Sequence, residues 1–344
     1  MSRYAAAHVM EDLKGPGDAR PTALDIIRDE KRENDFVGKV AVITGCSSGL
    51  GPPTAEALLT TGATLYCTAR DVEKAKQALG PKILDSGRVH VLYMDHTDLA
   101  TVKAAADEIH RQVKAVTILV NNAGVMTVPT RTETKDGFEL QIGTNHFAHF
   151  YLFCLLRDLL EAGSTPDFAS RVVNVASSGH RWGSLNLDDL QLAKQGAYTP
   201  LEGYAASKIA NIYMANEIER KYGSRTTKAI HGYSLMPGGI RTPLQRYAND
   251  YVEEELKKPE VARYMKSPEQ GAATSIFAAV ARELEGKGGV YLENCALAPA
   301  LPADHSELVN GNIAYGYAPW AFDPPKEKAL WTTSLRLVGL PEDF

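Results

Sequence analysis

An α/β fold is predicted for this chain: a doubly wound, mostly parallel sheet of about seven strands in a three-layer α/β/α arrangement, forming one domain with an extension at each end. Three observations predict it. From Gly38 onward, short β-branched runs alternate with longer helical stretches, the pattern of βαβ units. Runs such as Val40–Thr44 (VAVIT) and Thr117–Val120 (TILV) are apolar throughout, as strands covered on both faces require. The first of them also runs straight into a glycine-rich turn and a helix, the start of a dinucleotide-type half-sheet.

In chain order, strands are expected at Val40–Thr44, Thr64–Thr68, Val89–Met94, Thr117–Val120, Arg171–Val175, Ile230–Ser234 and Gly289–Leu292. Helices are expected at Pro53–Thr61, Val72–Leu79, Thr97–Lys114, Asp136–Glu161, Gly203–Tyr222 and Pro268–Glu283. Residues 1–36 are charged and without a clear period; they read as an extension with a short helix around Thr22–Arg32. Residues 37–300 make the domain. Residues 301–344 read as a tail that contributes to a lid and ends in a helix near Lys326–Val338. Gly179–Glu202 and Gly238–Lys266 are long connectors that follow strands, so both should border a site at the carboxyl ends of the sheet.

Composition narrows the function classes. The chain has 344 residues, 44% hydrophobic and 23% charged, which is an ordinary globular balance. Its net charge is −5 with no Lys/Arg block, which speaks against a nucleic-acid partner. Cys46, Cys67, Cys154 and Cys295 are far apart, so neither a zinc site nor a disulfide framework is expected, and a reducing, cytoplasmic setting is the default. The longest apolar run, near Phe147–Leu156, is too short to span a bilayer, and the first twenty residues lack the apolar centre of a signal peptide.

The glycine-rich turn reads Thr44-Gly45-Cys46-Ser47-Ser48-Gly49-Leu50-Gly51. Glycines there permit tight backbone and close approach of a phosphate, and the following helix presents free N–H groups and its positive end. The spacing is GxxxGxG, and a plain strand–helix turn would read the same. Pro52 and Pro53 suit a first helical turn. The second strand ends Cys67-Thr68-Ala69-Arg70. An acid here would bind the ribose 2′-hydroxyl of NAD, whereas an arginine suits the 2′-phosphate of NADP. With Ala69 in the acid's place, NADP(H) is favoured and NAD(H) stays possible; Asp71 reads as the cap of the next helix.

Tyr204-Ala-Ala-Ser-Lys208 opens a helix, and residues at i and i+4 share a face. A neighbouring ammonium lowers a phenol's pKa. Bringing it from about 10 to about 7 requires roughly 4 kcal/mol, which the lysine together with a positive nicotinamide ring would supply in a partly dry site. Upstream, an apolar strand ends at Ser177-Ser178, where a hydroxyl can hold a substrate oxygen or merely cap the next turn. Asn121-Asn122-Ala123-Gly124 closes another strand, and Asn145 stands in an apolar helix where its amide needs a partner. His146, His149 and His180 are read as packed or capping residues, and no metal is expected.

Over roughly Gly38–Asn294 the chain resembles the short-chain dehydrogenase/reductase family. The resemblance rests on TGxxxGxG at 44–51, Asp95 after the third strand, NNAG at 121–124, the strand-end serine, YxxxK at 204–208 and Pro237-Gly238-Gly239-Ile240-Arg241-Thr242. It implies a Rossmann-type fold and a catalytic tetrad of Asn145, Ser177, Tyr204 and Lys208, with Ser177 preferred over Ser178. It also implies a cofactor cradle of Gly45, Ser47, Ser48, Gly49, Leu50, Gly51, Arg70, Asp95, Asn122, Ala123, Gly124, Tyr204, Lys208, Pro237, Gly238, Ile240 and Thr242. DGFELQIGTNHFAHF, PGGIRTPL and GVYLENC are similar to the retinol-dehydrogenase-like and WW-domain-oxidoreductase-like branch and to related fungal enzymes. Met236 stands where that branch often has His, and the N-terminus has no apolar anchor, which argues against a retinoid substrate.

The expectation is therefore an NADP-dependent interconversion of ketone or aldehyde and alcohol on an apolar small molecule, such as a fungal secondary metabolite. Reduction of C=C, a lyase or epimerase step, and a non-catalytic dinucleotide sensor are the competing readings. The connectors and tail are aromatic (Trp182, Tyr198, Tyr247, Tyr251, Tyr264, Tyr315, Tyr317, Trp320, Phe322), which fits either an apolar lid or packing of the connectors on the body. The helices after Asn145 and Gly203 are apolar enough to pair in a homodimer or to be covered by the tail.

Overall fold

In the computed structural model the apolar runs pair into one eight-stranded sheet of order β3-β2-β1-β4-β5-β6-β7-β8. The strands are β1 (Val40–Thr44), β2 (Thr64–Ala69), β3 (Val89–Tyr93), β4 (Ile118–Asn121), β5 (Ser170–Val175), β6 (Ile230–Met236), β7 (Val290–Glu293) and β8 (Ala296–Leu297). The structure describes residues 2–302, 315–342 and 344, with backbone alone for Asn249, Tyr251 and Val252. β1 to β7 are parallel, with Ile43 beside Cys67 and Val120 beside Val173. The eighth strand was not expected. Asn294 and Cys295 both adopt left-handed backbone (φ 54° and 56°), a two-residue turn that folds the chain back antiparallel onto β7.

The helices are α1 (Ala23–Asp29), α2 (Gly51–Thr60), α3 (Val72–Leu84), α4 (Leu99–Gln112), α5 (Leu140–Ile142), α6 (Ala148–Gly163), α7 (Pro200–Ile218), α8 (Asn249–Leu256), α9 (Pro259–Tyr264), α10 (Pro268–Gly271), α11 (Ala273–Val280) and α12 (Pro324–Leu337). α1, α2, α3 and α11 cover one face of the sheet; α4, α6, α7 and α12 cover the other. Both faces being covered, β5 and β6 are buried at every residue, and their polar members find partners, as Arg171 does with the Ala278 and Ala281 carbonyls. Strand order reverses between β1 and β4, and this switch point opens a crevice at their carboxyl ends.

Several expected helices differ in form; that over Pro268–Glu283 divides into α10, α11 and a 3₁₀ turn at Arg282–Leu284, and that over Gly203–Tyr222 begins at Pro200 and gives way to a π-turn after Ile218. α3 runs past Leu79, because Gly80 turns left-handed (φ 72°) and Pro81 starts a fresh turn. The predicted helix over Asp136–Glu161 begins instead at Leu140, where the Glu139 carboxylate accepts the Gln141 and Ile142 N–H groups. It then widens into a π-helical turn over Gly143–Phe147 that holds Asn145. Single π-turns of this kind often sit at functional sites.

The ends of the chain pack on this frame. Thr22 and Asp25 form a capping box that starts α1, and Ile26 and Ile27 are fully buried in the core that also takes in Ile276 and Phe277 of α11. α12 lays Trp331 edge-on against Phe150 and Phe153 of α6, at 4.9 and 5.9 Å between centroids. The apolar faces of α6 and α7 that had suggested pairing with a second copy are thus packed against α12.

α7 matters most for the site, and it approaches β6 closely only because position 232 is glycine. A methyl group added to Gly232 would lie 2.2 Å from the Ala215 carbonyl oxygen. Gly232→Ala should therefore push α7 off the sheet and lower the unfolding free energy by about 1–3 kcal/mol, read as a drop in urea midpoint. An unchanged midpoint would contradict this packing arrangement.

Candidate active site

The site is assembled from strand ends, each tied by a buried polar side chain. Thr44 ends β1, and its Oγ1 accepts the N–H groups of Asn122 and Ala123, both at 2.9 Å. The Asn122 amide returns a bond to the Thr44 carbonyl at 2.8 Å. These bonds close the crevice between β1 and β4. His149 supports them: Nδ1 lies 2.9 Å from the Asn145 carbonyl and Nε2 lies 2.8 Å from Thr44 Oγ1. Since a carbonyl only accepts, Nδ1 carries the proton and Nε2 accepts from the threonine. Burial holds His149 well below the usual histidine range, so it stays neutral. His146, His149 and His180 are all buried and hydrogen-bonded, and no metal-ligating cluster occurs among the described residues.

Gly45 and Gly49 are left-handed, at φ 76° and 65°. A Cβ on Gly45 would stand 2.8 Å from Ala123 Cα, so only glycine lets the turn lie against the NNAG loop. Gly51 is needed for a different reason. A Cβ there would meet the Gly45 carbonyl oxygen at 2.4 Å, so its bare Cα allows α2 to begin immediately above the turn. Pro52 and Pro53 sit in the first turn of α2.

Asn145 clamps the backbone of Val125 from both sides. Its Oδ1 accepts the Val125 N–H and its Nδ2 donates to the Val125 carbonyl, both at 2.9 Å. The same Nδ2 donates to Ser207 Oγ at 2.9 Å. Asn145 thus joins the NNAG loop to α7 from beneath.

Tyr204 and Lys208 are 2% and 4% exposed on α7. The Lys208 ammonium donates to the Val175 carbonyl at 2.9 Å and lies 5.6 Å from the centre of the Tyr204 ring. Ser177 Oγ accepts the Gly179 N–H at 3.0 Å and lines the same cavity as the Tyr204 side chain. Gly179 makes room for that ring, since a Cβ there would be 2.6 Å from Tyr204 Cε1. Ser178 turns away; its N–H donates to Met236 Sδ at 3.1 Å.

The Tyr204 phenol is pushed up to about 12 by burial, with the Ser177 hydrogen bond pulling the other way. Lys208 is pushed down to about 7 by burial. In the protein alone, without the nicotinamide ring, loss of water penalises both charged forms and dominates.

A cavity of about 850 Å³ runs along the carboxyl ends of the strands. At one end it is lined by Arg70, Lys74 and Asp95, and at the other by Ser177, Tyr204 and Lys208. Gly45, Ser47, Ser48, Gly49, Leu50, Asn122, Ala123, Gly124, Pro237, Gly238, Ile240 and Thr242 line it between. Gly51 and Asn145 do not line it; they brace from behind. Arg70 forms no ion pair among the described residues. Asp71 caps α3 through the Lys74 N–H at 2.9 Å, as expected.

Sequence reasoning missed the apolar walls at the catalytic end: Val125, Met126, Met236 and Leu244, with the hydroxyl of Thr144 among them. None of Trp182, Tyr198, Tyr247, Tyr264, Tyr315, Tyr317, Trp320 or Phe322 lines the cavity. The Tyr198 hydroxyl donates to the Val128 carbonyl at 2.7 Å, and Tyr317 packs on Phe322 at 4.5 Å. These aromatics pack connectors and tail onto the body. The side chain of Tyr251 lies outside the described residues.

Comparison with known proteins agrees with this arrangement. Residues 39–188 match the short chain dehydrogenase family. The short-chain dehydrogenase/reductase prx1 of Penicillium roqueforti is 47% identical over 341 residues, covering 99% of this chain and 96% of its own. Retinol dehydrogenase 11 of Mus musculus is 33% identical, covering 89% and 88%. A solved structure of a putative uncharacterized protein from Mycobacterium paratuberculosis superposes with TM-score 0.63 at 30% identity, over 89% of this chain and 95% of that one. The chain belongs to the short-chain dehydrogenase/reductase family. Within it the chain falls in the retinol-dehydrogenase-like branch, and it is an oxidoreductase of the alcohol dehydrogenase type that binds NAD(P). No helix among the described residues is long and apolar enough to cross a membrane.

The lowered Lys208 pKa carries a stability consequence. The unfolded lysine binds a proton up to about pH 10.5, whereas the folded one releases it above about 7. Folding is therefore penalised below pH 10.5, and fully so below about 7. Lys208→Met should raise the denaturant midpoint at pH 7, and the gain should fade toward pH 10.5. A gain that grows with pH would contradict the assignment.

Proposed function

We propose that the chain is an NADP(H)-preferring reductase of ketones or aldehydes, reversible as an alcohol dehydrogenase, acting on an apolar small molecule in the cytoplasm. The observation that carries this reading is the grouping of Ser177, Tyr204 and Lys208 at one end of a cavity whose other end presents Arg70. The residues fit a dinucleotide: the bare backbone at Gly45 and Gly49 and the start of α2 suit phosphates. The Arg70 guanidinium suits a 2′-phosphate.

Bound nicotinamide dinucleotide supplies the hydride in reduction and accepts it in oxidation. The chain's residues handle the oxygen. The protonated Tyr204 phenol gives its proton to the carbonyl oxygen, and the Ser177 hydroxyl donates a hydrogen bond to the same atom. The tyrosinate left behind is stabilised by Lys208, which is protonated as that negative charge appears. Asn145 keeps Val125 and the NNAG loop in place. Met126, Met236 and Leu244 exclude water and favour an apolar substrate. The name of the retinol dehydrogenase relative points the same way. The four buried free cysteines fit a reducing compartment.

Titration of the purified protein, followed by nucleotide fluorescence, should give tighter binding of NADPH than NADH. Arg70→Ala should cost NADPH about 10- to 100-fold and leave NADH nearly unchanged, as expected for loss of one charged hydrogen-bonding pair. Tyr204→Phe should abolish reduction across a panel of ketones and aldehydes while NADPH affinity survives. Tighter NADH binding would sink the phosphate reading, and an active Tyr204→Phe enzyme would sink the acid/base assignment.

A further inference from the structure

The short 3₁₀ turn Ser178–Arg181 after β5 is gripped by a distant part of the chain. His180 is fully buried on it. Its Nδ1 lies 2.6 Å from the Ser177 carbonyl oxygen, and the Ala318 N–H points at its Nε2 at 3.0 Å. One proton placement satisfies both. The carbonyl can only accept, so Nδ1–H donates to it; the amide can only donate, so Nε2 accepts. Burial keeps this imidazole neutral, with its pKa pushed down to about 3. The His180 carbonyl in turn accepts the Trp320 indole N–H at 3.1 Å. The next residue continues the tie: Arg181 donates to the Gly316 carbonyl, and the buried Glu293 carboxylate accepts the Gly316 N–H at 3.0 Å. Further along, Tyr213 of α7 donates to the Trp320 carbonyl at 2.8 Å.

We propose that His180 is a positioning residue through which tail residues 316–320 fix the backbone of Ser177. This rests on the reading of Ser177 as the residue that polarises the substrate oxygen. Among the described residues the tail reaches none of the cavity wall, and the imidazole links it directly to the Ser177 carbonyl. With the Ser177 carbonyl held by His180 and its Oγ held by the Gly179 N–H, the hydroxyl is aimed at Tyr204. Loss of the imidazole leaves the carbonyl without its side-chain donor and the tail without its acceptor.

His180→Phe keeps a ring against Tyr291, 5.1 Å away, and removes both ring hydrogen bonds. Its kcat for carbonyl reduction should fall on the order of 10-fold or more, as sub-ångström misplacement of a catalytic group does. NADPH affinity should stay within about twofold, because His180 does not line the cofactor cavity. His180→Asn places an amide N–H near the old Nδ1 position and should recover part of kcat. Amide hydrogen exchange at Ala318 should speed up in both variants, a readout that needs no substrate. Unchanged kcat in His180→Phe, an equal loss of NADPH binding, or unchanged exchange at Ala318 would overturn the proposal. Wild type and Tyr204→Phe run alongside. A wild type without turnover, or an active Tyr204→Phe, fails the active-site reading instead, and exchange at Ala318 still decides whether His180 holds the tail.

Discussion

Two ionisable side chains, Tyr204 and Lys208, are held almost without water on one face of α7, and the rest of the molecule is arranged around that constraint. Burying a phenol costs little while it stays protonated, but burying an ammonium costs several kcal/mol unless it is bonded or gives up its proton. The Val175 carbonyl offers Lys208 one bond. That carbonyl belongs to the end of β5, so the lysine's position depends on the sheet. β6 then holds α7 at a distance that only Gly232 permits. Sheet, helix and ionisable pair are one unit.

The loops at the crevice show the same economy. A loop that must hold a ligand to within fractions of an ångström cannot rely on its own conformational preferences. Here each strand-end loop is fastened by a buried polar group: Thr44 for the NNAG turn, Asn145 for Val125, and His180 for the Ser177 turn. Two of the three are braced further by His149, which touches Thr44 and the Asn145 carbonyl together. Groups that never meet the substrate thereby decide where the reacting groups stand.

Most of the sheet was legible in the sequence, because short β-branched runs alternate with longer helical stretches; β1 and β5 stand at or within a residue of where that alternation put them. The site residues were legible for another reason: glycines at a phosphate-type turn and YxxxK on a helix are local patterns, and the fold then brings Arg70, Ser177 and Tyr204 to one cavity. What escaped depends on tertiary contact. The π-turn at Asn145 has no local signature in Gly-Thr-Asn-His. The tail aromatics left lid and packing equally open, because composition cannot say whether an aromatic faces a ligand or the protein. Charge proximity at Tyr204 and Lys208 is readable from i, i+4 spacing, whereas the loss of water that raises the phenol and lowers the ammonium is not.

The central claim is that burial keeps Tyr204 protonated until a cationic partner joins the pocket. Difference absorbance near the tyrosinate band, wild type minus Tyr204→Phe, isolates this one phenol. Without cofactor it should ionise at about 12. With NADP⁺ saturating, its ionisation should move down by several pH units, toward about 7–8, where a general acid–base group works best. A phenol that titrates at the same high pH with and without NADP⁺ would contradict the claim.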